Sequence, residues 1–89
     1  MSARRTVNIC NERGLHARAS AKFVKLASGF DAEVWVGRDG QRVDARSIMG
    51  LMMLAAGPGS KLTVHADGND ANQALTELET LLNRKFDED

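Results

Sequence analysis

The sequence predicts an α+β fold of order βαββαβα: an open-faced β-sandwich in which a four-stranded antiparallel sheet carries three helices on one face. Three observations predict it. Stretches of polar–apolar alternation are interleaved with stretches whose apolar residues recur every three or four positions. Two alternating stretches flank an Asp-Gly pair, a strong signal for a tight hairpin. The helical stretches must all cover one greasy sheet face, which leaves the other to water. A chain of 89 residues has room for one core and too little for two, so residues 1–89 are expected to form a single domain.

Thr6–Cys10 alternates and places Val7 and Ile9 on one face of a first strand. Past Asn11 to Gly14 the period changes. Ala19, Phe23, Leu26 and Ala27 are three or four apart, a helix that Gly29 would end as its C-cap. Ala32–Val36 and Gln41–Asp44 read as the hairpin, turning at Asp39 and Gly40. Ser47 can cap a short helix over Ile48–Ala55, about two turns long, which Gly57, Pro58 and Gly59 stop. Lys61–Ala66 alternates again, with Leu62 and Val64 inward and His65 outward. Asn69 or Asp70 can cap the last helix, whose apolar stripe runs through Ala71, Ala74, Leu75, Leu78, Leu81, Leu82 and Phe86. The acidic end, Asp87 to Asp89, opposes the negative pole of that helix and is expected to fray.

Composition excludes several classes. Twelve basic and twelve acidic side chains cancel, which argues against general nucleic-acid binding, since that needs a basic excess to neutralise phosphates. The single cysteine, Cys10, cannot close an intrachain disulfide and has no companions at zinc-site spacing, so no zinc site is expected and a reducing compartment fits. No apolar run is long enough for a signal peptide or a membrane span. A cytoplasmic monomer is the expectation.

The residue with chemistry to offer is His16, which falls where the first helix begins. Unpaired backbone N–H groups and the positive dipole end welcome an anion there. The same features disfavour imidazolium, and neutral imidazole has the lone pair that attacks phosphorus. Gly14 can take a positive φ and bring backbone close to a ligand. Arg18 offers a forked, permanently charged donor to phosphate oxygens. On spacing alone, a histidine capping a helix beside a turn glycine explains these residues equally well.

A resemblance separates the two readings. Gly14-Leu-His-Ala-Arg18 resembles the phosphohistidine signature of the HPr phosphocarriers of the bacterial phosphoenolpyruvate-dependent phosphotransferase system. Ala45–Leu54 resembles the second signature of that family, around its regulatory serine. The resemblance covers essentially the whole chain and implies the same βαββαβα order. It implies that His16 accepts a phosphoryl group through Nδ1, that Arg18 stabilises it, and that an HPr kinase/phosphorylase modifies Ser47. The implied partners are enzyme I as donor and IIA-type proteins as acceptors, with this chain a stoichiometric carrier and not an enzyme. Ala19 stands where the family often has proline, which tilts the reading toward the nitrogen-related branch.

Around His16 the sequence suggests a docking surface. The short second helix is apolar nearly all round, and a helix on a sheet buries one side. Leu51 and Leu54 are assigned to the core, which leaves Ile48, Met49 and Met52, with Leu15, as an adaptable patch. Arg18, Lys22 and Lys25 are spaced as a basic stripe that could steer an acidic partner. A phosphorylated Ser47 would repel such a partner. The rival reading is a non-catalytic regulatory module on the same fold, controlled through Ser47. A small-molecule-binding domain would want a preformed pocket that so few residues rarely provide. His65, Trp35 and Cys10 are assigned no chemical role.

Overall fold

The computed structural model describes residues 1–54 and 56–88. Its elements are β1 (Ser2–Asn8), α1 (Ala17–Ala27), β2 (Glu33–Arg38), β3 (Gln41–Asp44), α2 (Ile48–Met53), β4 (Lys61–Asp67) and α3 (Ala71–Asn83), followed by a 3-10 turn over Lys85–Asp87. The strands form one antiparallel sheet in the order β1-β4-β2-β3. This is the open-faced sandwich that the alternation required. Val7, Val34, Val36, Leu62, Val64 and Ala66 point inward and are buried against Phe23, Leu51, Leu75 and Leu78 from the helices.

Register explains where the element ends differ from expectation. β1 begins four residues before Thr6, because Arg4 pairs with His65 and Ser2 with Asp67 along an edge whose outward side chains need only water. It ends at Asn8, yet Ile9 stays in the core, 1 % exposed, and its N–H and carbonyl are met by Ser60 and Gly59. The hairpin turns at Asp39 and Gly40, with φ of 51° and 84°, the two positive values a type I′ turn demands.

Four further expectations are corrected. Ser28, in right-handed geometry, caps α1, and Gly29 does not take a positive φ. α2 ends at Met53 with Leu54 as its cap; Ala55 lies outside the described residues. Asp70 occupies the N-cap of α3 without bonding that helix; its carboxylate accepts from the Asp31 backbone N–H at 2.8 Å and ties the helix start to the preceding loop instead. Phe86 is fully buried, but through a turn and not as part of the α3 stripe: Lys85, Phe86 and Asp87 have φ of 56°, 56° and 60°.

Candidate functional site

His16 is positioned by the turn before it. Gly14 has φ of 63°, and a Cβ at that position would stand 2.1 Å from the Ala56 carbonyl oxygen. Only glycine permits that approach, which lets Leu15 N–H donate to the same oxygen at 3.0 Å. The turn sends Leu15 into the core, 5 % exposed, so the docking role expected for it is corrected to packing. The next side chain, His16, is thrown outward.

His16 is the N-cap of α1, with φ −74° and ψ 178°, and its carbonyl accepts the first helical hydrogen bond from Ser20 N–H at 2.9 Å. The ring makes no cap bond. Its Nε2 lies 2.6 Å from Oε1 of Glu88, with the two side chains 23 % and 20 % exposed. A carboxylate is an acceptor only, so in the neutral ring this contact holds the proton on Nε2 and leaves the lone pair on Nδ1. Glu88 Oε1 also accepts from Asn11 Nδ2 at 3.1 Å, and the same amide donates to the Gly14 carbonyl at 2.9 Å. The hydrogen bond from His16 holds the Glu88 carboxyl below the usual carboxylate range; burial opposes the shift, and Asn11 and the charge of Arg13 reinforce it.

Glu88 therefore does not fray, contrary to the expectation from helix electrostatics. The chain leaves α3 at Asn83 and folds back through three left-handed residues, each costing roughly 1–2 kcal/mol. Burial of the Phe86 ring, worth about 1.5–3 kcal/mol, offsets part of that cost. Lys22 Nζ donates to the Phe86 carbonyl at 2.6 Å and Arg84 pairs with Asp87 at 3.1 Å. Asp89 lies outside the described residues.

Charge gathers around the ring. His16, Arg18 and Glu88 line a cleft of about 820 Å³ of mixed charge, together with Arg13, Arg84 and Lys85 and the acids Glu12 and Asp87. Arg18 is exposed and has no ion-pair partner among the described residues. The expected basic stripe divides: Arg18 faces this cleft, whereas Lys22 and Lys25 line a second groove, of about 410 Å³, between α1 and the end of α3. Arg13, Arg84, Lys85 and Glu88 escaped the sequence reading. No local pattern connects residues 84 to 88 with residue 16; the left-handed turn does.

Ser47 caps α2, its Oγ accepting from Gly50 N–H at 2.9 Å while its carbonyl receives Leu51 N–H at 3.1 Å. It is partly exposed, beside an Arg46–Asp44 pair at 3.0 Å. Leu51 and Leu54 are buried, as their spacing indicated. Ile48, Met49 and Met52 are exposed, and Met53, which the reading passed over, is the most exposed of this helix at 71 %. Among the described residues no cluster of three or more His, Cys, Asp or Glu side chains could hold a metal ion, and no helix is long and apolar enough to cross a membrane.

Comparison with known proteins assigns this geometry to a family. A family model described as the PTS HPr component phosphorylation site matches residues 3–84. The phosphocarrier protein HPr of Cupriavidus necator is 50 % identical over 84 residues, covering 94 % of each chain. The phosphocarrier protein NPr of Shewanella violacea is 45 % identical over 84 residues, covering 94 % of this chain and 92 % of its own. The crystal structure of an HPr from Thermoanaerobacter tengcongensis superposes with a TM-score of 0.93 at 40 % identity, covering 98 % of each chain. The chain therefore belongs to the HPr family of phosphocarrier proteins of the phosphotransferase system.

Proposed function

We propose that this protein relays a phosphoryl group through Nδ1 of His16, from phosphorylated enzyme I to a histidine on a IIA-type acceptor. The observation that carries the reading is the short His16–Glu88 contact in a cleft that Arg18 also lines, its guanidinium without a carboxylate partner among the described residues. With its proton held on Nε2, the ring attacks in line without first losing a proton. The new Nδ1–P bond forms as the donor's P–N bond breaks. The product ring is then cationic, with its positive charge facing the Glu88 carboxylate and its phosphoryl oxygens facing Arg18 and the first N–H groups of α1. Handing the group on reverses these events. The protein contributes orientation and charge, a demand that an open surface site meets without a metal or cofactor of its own.

Ser47 is the proposed switch. Phosphorylation by an HPr kinase/phosphorylase would place about two negative charges beside the exposed patch of Ile48, Met49 and Met52 and repel an acidic partner that reads Arg18. Partial exposure of Ser47 and exposure of that patch support this assignment.

Incubation with enzyme I, phosphoenolpyruvate and magnesium tests the relay. The expected result is an acid-labile, base-stable label that disappears in His16→Ala. A wild type that stays unlabelled, or a His16→Ala variant labelled as well as wild type, refutes it. Relatives bearing the HPr and NPr names match at similar identity, so the acceptor is identified by presenting sugar-type and nitrogen-type IIA proteins in competition.

A further inference from the structure

The helices leave the other face of the sheet uncovered, and the relay uses none of it. We propose that this face binds a small anion carrying two phosphoryl groups, held by Arg4, Arg42 and Lys61 above a floor formed by Thr63 and Gly37. An open cleft of about 370 Å³ lies there, at the lower end of the range for small-ligand sites.

Register places its parts. Arg4 stands opposite His65, and His65 opposite Trp35, in one row across β1, β4 and β2. In the next row Thr63 faces Gly37, and Gly37 faces Arg42. Lys61 follows two residues along β4 on the same side. The missing side chain of Gly37 and the short one of Thr63 leave the middle of this surface low, with cations on both flanks. Arg4, Arg42 and Lys61 have no carboxylate partner among the described residues, although the chain as a whole is neutral. Arg42 rests its guanidinium 4.7 Å above the Trp35 ring, which stores it beside the cleft without neutralising it. His65 is held below the usual imidazole range, first by burial and then by the charges of Arg42 and Arg4, which reports the positive sign of the local field. The one acid in the cleft wall, Asp39, is engaged by Arg38 at 3.7 Å.

The layout selects the ligand class. Arg4 and Arg42 stand on β1 and β3, three strand spacings apart, or roughly 14 Å between backbones. The three cations without a carboxylate partner among the described residues, Arg4, Arg42 and Lys61, are spread over β1, β3 and β4 and match the charge and span of two linked phosphoryl groups better than those of one. A long polyanion is opposed, because the outward positions beyond the His65 row are Glu33 and Asp67, paired in register, and Asp44 closes the β3 edge. Charge complementarity is therefore confined to a patch of small-ligand size.

Inorganic pyrophosphate is the probe, titrated into the full chain at constant ionic strength by calorimetry. Trp35 fluorescence is followed in parallel, since it is the sole tryptophan and the chain has no tyrosine. Saturable binding near or below about 1 mM is expected, at least about tenfold tighter than orthophosphate. Arg4→Gln and Lys61→Gln, both at exposed positions, should each weaken it about tenfold with unchanged melting temperature. His16→Ala and Arg18→Ala should leave it intact, which keeps this site distinct from the relay cleft. No saturation by about 10 mM, equal binding of orthophosphate, or loss in Arg18→Ala but not in Arg4→Gln would overturn the proposal. Tighter binding of a single-stranded oligonucleotide than of pyrophosphate would overturn the ligand class.

Discussion

Replacing Glu88 by alanine removes one carboxylate and with it two acceptor contacts, from His16 Nε2 and from Asn11 Nδ2. Asn11 is 1 % exposed but keeps its bond to the Gly14 carbonyl, so its loss is partial. The His16 contact is short and charge-assisted but one-fifth open to water, which places it near about 1 kcal/mol, below the range for buried charged bonds. The two together come to about 1–2 kcal/mol, and each 1 kcal/mol lowers Tm by roughly 4–8 °C in a domain of this size. The same 1 kcal/mol is about a fivefold change in an equilibrium, so the ratio of Nε2–H to Nδ1–H tautomers of neutral His16 should fall by about that factor. Nitrogen-15 shifts of the ring read the tautomer directly, and thermal melts read the stability. The pH dependence has a definite sign. Glu88 in the folded protein is held below its ordinary value of 4.5, so its contribution is complete above that value and is lost as pH falls through the lower folded one. The Tm gap between wild type and Glu88→Ala should thus close as the pH is taken well below 4.5. Glu88→Gln, which retains a neutral acceptor, should fall between the two. An alanine variant with wild-type tautomer ratio and wild-type Tm at pH 6 would show that the tail does not set the ring.

Other perturbations test separate parts of the site. Gly14→Ala should destabilise by about 2–4 kcal/mol, because its Cβ would meet the Ala56 carbonyl oxygen at 2.1 Å; a urea midpoint within error of wild type would contradict that. Ser47→Ala should cost about 1 kcal/mol through the lost bond to Gly50 N–H, while Ser47→Asp retains a capping oxygen and stability but slows transfer from enzyme I. Equal transfer rates for Ser47→Asp and wild type would remove the switch. Met49→Ser and Met53→Ser, at 68 % and 71 % exposed positions, should change stability by less than about 0.5 kcal/mol and slow transfer by weakening docking; unchanged transfer kinetics would place the partner surface elsewhere. Phe86→Ala should cost about 3–5 kcal/mol, and should also raise amide exchange over residues 84–88 more than over the sheet.

The strands, the hairpin, the helix stripes and the exposed residues of α2 could be read from the chain, because period and turn chemistry are local properties. His16, Gly14 and Arg18 could be read for the same reason: a turn glycine, a histidine and an arginine within five positions describe a helix start. What could not be read depends on contacts between distant positions. Leu15 looked available until the turn at Gly14 drove it inward. Lys22 looked like part of a steering stripe until it reached the Phe86 carbonyl. The acidic end looked free because helix electrostatics argue for fraying, and that argument fails where burial of Phe86 pulls the chain into a left-handed turn. His65 and Trp35, each without local significance, gain a shared setting only through strand register, which sets Arg4 and Arg42 beside them. The sequence by itself thus placed His16, with Gly14 and Arg18, at the start of the first helix and, through its resemblance to the phosphocarrier signatures, singled it out as the proposed phosphoryl acceptor. Only the tertiary structure decided which groups surround it, since a carboxylate 72 positions away enters the site through packing that no local periodicity encodes.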